Sequence, residues 1–231
     1  MHKSMLCDLS IANHYAWFER LDDLLIVKWG HYPQVDGKID PRIVTMSVAV
    51  DSRARRLTPL LAFSKRAGAV GGVEVLLGEL VEGDYTVGLA YDRGVYAVTD
   101  DGRWVYGDRV TVEAMGPRVR EVRRLLGFAK THFSVGRAPP RDLKALGFEL
   151  EIALEDYDPL EKRAKVVALF RGRPVDVDIE FYSAGGRDVV KSGSRIQLSK
   201  GLNLFIAKFV KREGTVDYDT LHMVSTLSLE V

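Results

Sequence analysis

Along most of the chain, apolar residues fall on every second position. In Val44-Thr45-Met46-Ser47-Val48-Ala49-Val50 they alternate with small or polar residues, the pattern of a half-buried strand. The same period-two pattern recurs at Tyr85, Val87, Leu89 and Tyr91, and again at Phe148, Leu150, Ile152 and Leu154. Val175, Val177, Ile179 and Phe181, interleaved with Asp176, Asp178 and Glu180, form the cleanest run. Met223, Ser225, Leu227, Leu229 and Val231 share one face of a closing strand. Between these runs stand reversal signals: Asp36-Gly37, Asp101-Gly102, Arg171-Gly172-Arg173-Pro174 and Gly185-Gly186. Short alternating runs punctuated in this way predict an all-β, predominantly antiparallel sandwich architecture.

One segment has a different period. From Pro117 the chain reads RVREVRRLLGFAKTHF, with Val119, Val122, Leu125, Leu126, Ala129 and Phe133 at helical spacing. On a helical wheel these six fall within an arc of roughly 120°, with Arg120, Arg123, Arg124 and Lys130 outside it. The expectation is one short amphipathic helix lying on the β body, its arginine stems covering apolar surface and its charges in solvent. The turn-rich stretch Gly136-Arg137-Ala138-Pro139-Pro140-Arg141 then reads as a linker. The predicted organisation is a β-sandwich domain over residues 1–136 that ends in the helix, and an immunoglobulin- or transthyretin-like β-sandwich domain over 137–231.

Composition narrows the function classes. Lys and Arg total 33 against 32 Asp and Glu, so nothing in the charge implies nucleic acid, which usually calls for a basic excess. The single cysteine, Cys7, has no partner for an intrachain disulfide and no others with which to build a cysteine-rich zinc module. No apolar run reaches the roughly 18 residues of a membrane span. The opening MHKSMLCDLSIANHYAWF is broken by Asp8, Ser10 and Asn13 and does not read as a signal peptide, so the sequence by itself suggests a cytoplasmic chain.

Enzyme signatures are missing: no phosphate loop, no His-Glu-x-x-His, no dinucleotide fingerprint and no Gly-x-Ser-x-Gly elbow. The expectation is a non-enzymatic protein. Trp17, Trp29 and Trp104 are read as core aromatics before any cleft is invoked. Five histidines remain, His2, His14, His31, His132 and His222. Imidazole suits borderline metals, and histidines converging from several strands make a site. His132, at the end of the expected helix, is read as a cation complementing the helix dipole.

The neighbourhoods of the other histidines, in order, resemble a family of exported proteins of unknown function associated with nickel and cobalt uptake. His14-Tyr15-Ala16-Trp17-Phe18 resembles the mature N-terminus of that family, and Trp29-Gly30-His31-Tyr32-Pro33 its Gly-His motif. Gly83-Asp84-Tyr85-Thr86 and Thr99-Asp100-Asp101-Gly102-Arg103-Trp104 are similar to its strand and hairpin motifs. Leu169-Phe170-Arg171-Gly172-Arg173-Pro174-Val175 and the ending Tyr218-Asp219-Thr220-Leu221-His222-Met223-Val224-Ser225-Thr226-Leu227 complete a collinear series running from about Ile11 to Val231.

The resemblance implies two β-sandwich domains, an extracytoplasmic (periplasmic) location, and a metal-binding accessory role beside a membrane metal-transport complex. It carries over His14, His31 and His222 as metal ligands, for Ni²⁺ or Co²⁺ with Zn²⁺ and Cu²⁺ as the other fits. A carboxylate such as Asp219 would join them where the sandwiches meet, and affinity would fall below about pH 6 as imidazoles protonate. The other reading is a tandem-sandwich surface or adhesion module that presents loops or aromatics to a glycan or protein partner without metal.

Overall fold

A computed structural model of the chain describes residues 13–53, 55–136 and 139–231. His2 and Cys7, and Arg137 and Ala138 at the expected domain boundary, lie outside the described residues. The first half contributes β1 (Tyr15–Leu21), β2 (Leu24–His31), β3 (Gln34–Gly37), β4 (Val44–Asp51), β5 (Arg56–Leu57), β6 (Leu60–Ala62) and β7 (Val73–Leu76). It continues with β8 (Gly83–Thr99), β9 (Trp104–Tyr106) and β10 (Val119–Val135). The second half contributes β11 (Leu150–Asp158), β12 (Arg163–Phe170), β13 (Arg173–Pro174), β14 (Asp178–Ser183), β15 (Gly186–Lys191), β16 (Ser194–Gln197), β17 (Leu202–Arg212) and β18 (Thr220–Glu230). Two five-residue helices, α1 (Lys65–Ala69) and α2 (Arg109–Glu113), are capped by Ser64 and Asp108. The all-β expectation holds.

Among the described residues the strands form three sheets. A nine-stranded sheet runs β15-β14-β17-β18-β10-β8-β4-β5, with β9 on β8. A five-stranded sheet runs β1-β2-β7-β6, with β3 on β2, and a four-stranded sheet runs β11-β12-β13, with β16 on β12. The large sheet is the middle layer. On one face, Ala129 and Phe133 of β10 and Leu89 and Tyr91 of β8 pack against Ala16, Phe18, Val27 and Trp29 of the five-stranded sheet. On the other, Leu227 and Leu229 of β18 pack against Ile152 and Val166, and Phe128 of β10 packs against Phe148 and Leu150. Two sandwich cores therefore share one sheet, and the parallel pairing of β10 with β18, from Arg123↔Thr220 to His132↔Leu229, crosses from one half of the sequence to the other.

The expected amphipathic helix is not formed; its residues are β10, a central strand of the middle sheet. The helical spacing arises because two buried faces are interleaved. Val119↔Thr99 is followed by Glu121↔Val98, which leaves Arg120 as an extra residue on β10, a β-bulge. The bulge stretches the same-face interval from two to three, so Val119 and Val122 share one core, while Leu125, Ala129 and Phe133 lie on the opposite face. Strands buried on both sides read as near-continuous apolar runs, and alternation alone does not separate them from a helix.

Two charge assignments change with it. Lys130 is not in solvent: it is 2% exposed, with Nζ 2.5 Å from Glu151 Oε1. His132 is not a cation at a helix end. It is buried in the strand with Nδ1 2.7 Å from Thr86 Oγ1, and burial together with the nearby Lys130 charge pushes its pKa well below 6.5.

The run over 175–181 also differs in detail. The strand begins at Asp178; before it, Val175 N still donates to Ala168 O while Ser192 N donates to Val177 O. The extended chain passes here from the four-stranded sheet to the nine-stranded one. Side-chain alternation continues although the hydrogen-bonding partners switch, which is why the pattern reads longer than the strand. The stretch after β10 is strapped to the middle sheet at β8 and to the four-stranded sheet at β11. Asp84 Oδ2 accepts the backbone N–H groups of Arg141 (3.1 Å) and Asp142 (3.0 Å), and the Glu151 carboxylate accepts those of Leu146 (2.8 Å) and Gly147 (2.9 Å).

Candidate metal centre

His14 immediately precedes β1, and the β1–β2 register, in which Tyr15 faces Gly30, sets it beside His31 at the end of β2. Their rings meet edge to face with centroids 4.6 Å apart. The chain reverses at Tyr32-Pro33 and returns as β3, where His31↔Gln34 and Gly30↔Val35 are followed by Trp29↔Gly37. Asp36 is thus the extra residue of a β-bulge, and bulges re-aim side chains out of the strand alternation. Here the bulge turns the Asp36 carboxylate onto both histidines: Oδ2 lies 3.2 Å from His14 Nε2 and 3.0 Å from His31 Nδ1.

Gly30 makes this approach possible. A Cβ on it would fall 2.5 Å from Gln34 O, 2.7 Å from Asp36 N and 2.9 Å from Asp36 Oδ2, and its φ of +151° is one that side-chain-bearing residues rarely adopt. The second wall is aromatic. The Trp29 ring stands edge-on to His14 at 6.0 Å and to Tyr91 at 5.4 Å, while the Tyr15 hydroxyl accepts the backbone N–H of Tyr32 at 2.9 Å and fixes the β2–β3 turn.

The three ligand atoms of His14, His31 and Asp36 lie within 4.8 Å of one another. Both imidazole–carboxylate separations are hydrogen-bond or ion-pair contacts, and they also fall near the roughly 3.0–3.4 Å between neighbouring donors that each stand about 2.1 Å from one ion in octahedral or tetrahedral geometry. His14 is buried, and the side chains of Asp36 and His31 are 17% and 42% exposed, so the cluster is anchored on one side and open to solvent on the other. The hydrogen bond from His31, with the field of His14, holds the Asp36 carboxyl below the usual carboxylate range against the opposing effect of its desolvation. An ionised carboxylate beside two imidazoles is a borderline-metal donor set.

Of the three sequence-expected ligands, the structure brings together His14 and His31. His222 stands outside the cluster, on β18 opposite Leu125. Asp219 is not the joining carboxylate: its Oδ2 accepts the Val122 N–H at 2.7 Å and pairs with Arg109 at 2.8 Å. The carboxylate in the cluster is Asp36, which the sequence presents only as half of an Asp-Gly reversal; its place five residues after His31, just beyond a Pro turn, is the signal that would have singled it out. No protein-family model, curated protein or solved structure matches the chain. No helix among the described residues is long and apolar enough to cross a membrane.

Proposed function

We propose that this protein is a non-enzymatic transition-metal-binding protein, and that His14 Nε2, His31 Nδ1 and Asp36 Oδ2 hold one divalent ion of the Ni²⁺, Co²⁺, Cu²⁺ or Zn²⁺ class. The observation that carries the reading is the convergence of both histidines on a single carboxylate oxygen, at 3.2 and 3.0 Å, over a glycine that admits no side chain. Three protein donors with one side open suit an ion that is taken up and passed on, because the remaining positions are available to a donor or acceptor partner. A role in nickel or cobalt uptake beside a membrane transport complex outside the cytoplasm is the setting that the resemblance of the histidine motifs supplies. A surface module would present loops or aromatics to its partner; of the aromatics, Trp17 and Trp29 are buried, at 0% and 8% exposure.

The test is calorimetric titration of Ni²⁺, Co²⁺, Cu²⁺ and Zn²⁺ into the full chain. One equivalent is expected to bind. His31→Ala and Asp36→Asn should each weaken binding by more than the roughly 10–100-fold that loss of a supporting outer-shell group causes, whereas His222→Ala should bind as the parent does. Absence of binding, or equal binding by the His31 and Asp36 variants, overturns the proposal.

A further inference from the structure

A carboxylate offers a metal ion one oxygen or two, and its other contacts decide which. In the metal cluster the two oxygens of Asp36 are used differently. Oδ2 meets His14 Nε2 at 3.2 Å and His31 Nδ1 at 3.0 Å, whereas Oδ1 accepts the side-chain amide N–H of Gln34 at 2.6 Å. An ionised carboxylate has no proton to give, so the amide presents its nitrogen, and not its oxygen, to Asp36.

Local structure sets this reach. Gln34 and Asp36 stand two residues apart on β3, the spacing that puts side chains on one side of a strand. Gln34 is opposite His31 in the β2–β3 register, and the bulge at Asp36 turns the carboxylate back toward it. From the other side the backbone presses in: a Cβ on Gly30 would fall 2.9 Å from Asp36 Oδ2. Together with the His31 hydrogen bond and the His14 field, the Gln34 bond helps keep the carboxyl ionised against its desolvation.

An ion changes the other two contacts. At hydrogen-bond distance each imidazole presents an N–H to Oδ2; as a ligand it presents a lone pair and carries its proton on the other ring nitrogen. Both of those hydrogen bonds end when an ion is bound. Of the three, the Gln34 bond is the one that persists. It keeps the carboxylate from swinging away as its imidazole donors are lost, and it occupies Oδ1.

We propose that Gln34 is the positioning residue of the metal centre, pinning Asp36 Oδ1 so that Asp36 binds the ion through Oδ2 alone. This rests on the metal-binding reading and narrows its class of ion. Attachment through one oxygen suits a borderline ion that takes nitrogen as its other donor, and works against Ca²⁺, which collects about 6–8 oxygens and uses both oxygens of a carboxylate where it can.

The experiment compares the full chain with Gln34→Met, which keeps the length of the side chain and removes the donor. Calorimetric titration of Zn²⁺ gives the affinity. The infrared difference between Zn²⁺-loaded and metal-free protein, with aspartate ¹³C-labelled at the side-chain carboxyl and Asp36→Asn assigning the bands, gives the attachment. The asymmetric and symmetric carboxylate stretches stand far apart for one-oxygen binding and close together for two. Expected in Gln34→Met is an affinity lowered by about 10–100-fold, as for loss of an outer-shell hydrogen bond, with a narrowed separation of the stretches. Gln34 is exposed, so the urea midpoint should stay parental, and a merely structural role would leave the separation unchanged. Parental affinity or an unchanged separation in Gln34→Met, or a narrow separation in the parent, overturns this inference; the metal reading survives those results if Asp36→Asn has lost binding. Absence of Zn²⁺ binding by the parent overturns both.

Discussion

Gly30 decides how much the metal cluster tolerates. A methyl group at this position meets the backbone of Gln34 and Asp36 at 2.5 and 2.7 Å, and backbone cannot rotate away as a side chain can. Gly30→Ala should therefore displace Asp36 from the two histidines and remove calorimetric metal binding, while lowering stability by about 1–3 kcal/mol, as overpacking and backbone strain do. Retention of parental affinity would show that the carboxylate is not a ligand. His132 and His222 each contribute to the pH dependence of stability. Both have folded-state pKa values below the ~6.5 of an unfolded imidazole, so between those values the unfolded chain binds more protons than the folded one. Stability is then complete above about pH 6.5 and falls as pH drops toward 4, with each titrating imidazole adding a slope of up to about 1.4 kcal/mol per pH unit. Urea midpoints at pH 7 and pH 5 check this: His132→Gln should flatten the difference, and an unchanged difference in that variant would assign it elsewhere. The histidine pair was legible in the sequence because each member sits in a distinctive motif. Asp36 was not, because a bulge and a reversal share the Asp-Gly signature. Nor was the separation of His222, which depends on the register of β10 against β18.

At the scale of elements, β10 shows how tertiary structure overrides a local period. Its apolar spacing belongs to two faces, and Gly127 marks the crowding between its neighbours. A Cβ on Gly127 would fall 2.0 Å from the Tyr91 ring, on the strand alongside. The Tyr91 hydroxyl accepts the Ala16 N–H at 3.0 Å, and Tyr91 backs the Trp29 ring beside His14. Gly127→Ala should thus cost about 1–3 kcal/mol in denaturant unfolding and also weaken metal binding through Tyr91 and β1. A helix at this place, as the spacing suggested, would accept alanine with a gain, since Ala exceeds Gly in helix propensity by about 1 kcal/mol. The sign of the stability change therefore separates the two descriptions. The remaining alternating runs, over 44–50, 85–91, 148–154 (in strand from Leu150) and 223–231 (in strand to Glu230), were legible as strands because reversal signals bound them. The crossing at 175–177 was not, since the side chains stay in phase while the backbone changes sheet.

For the whole molecule, the consequence is cooperativity. A sheet shared by two cores means that neither core exposes its middle layer without exposing the other. The β10–β18 ladder is the seam, and the buried Lys130–Glu151 pair ties β10 of the middle sheet to β11 of the four-stranded one. Desolvation lowers the Lys130 pKa, opposed by the Glu151 charge, so the pair holds only while both members are present. Lys130→Met leaves the Glu151 carboxylate buried with backbone donors alone and should cost about 3–5 kcal/mol, whereas the paired change Lys130→Met with Glu151→Gln should recover part of that loss. All three tryptophans precede residue 105, so their fluorescence reports on the first half of the chain, while far-ultraviolet circular dichroism reports on both. If the shared sheet couples the halves, the two signals trace one urea transition in the parent and move together in Lys130→Met. Transitions that separate in the parent would mean that the seam is weaker than either core, and that residues 139–231 fold on their own account.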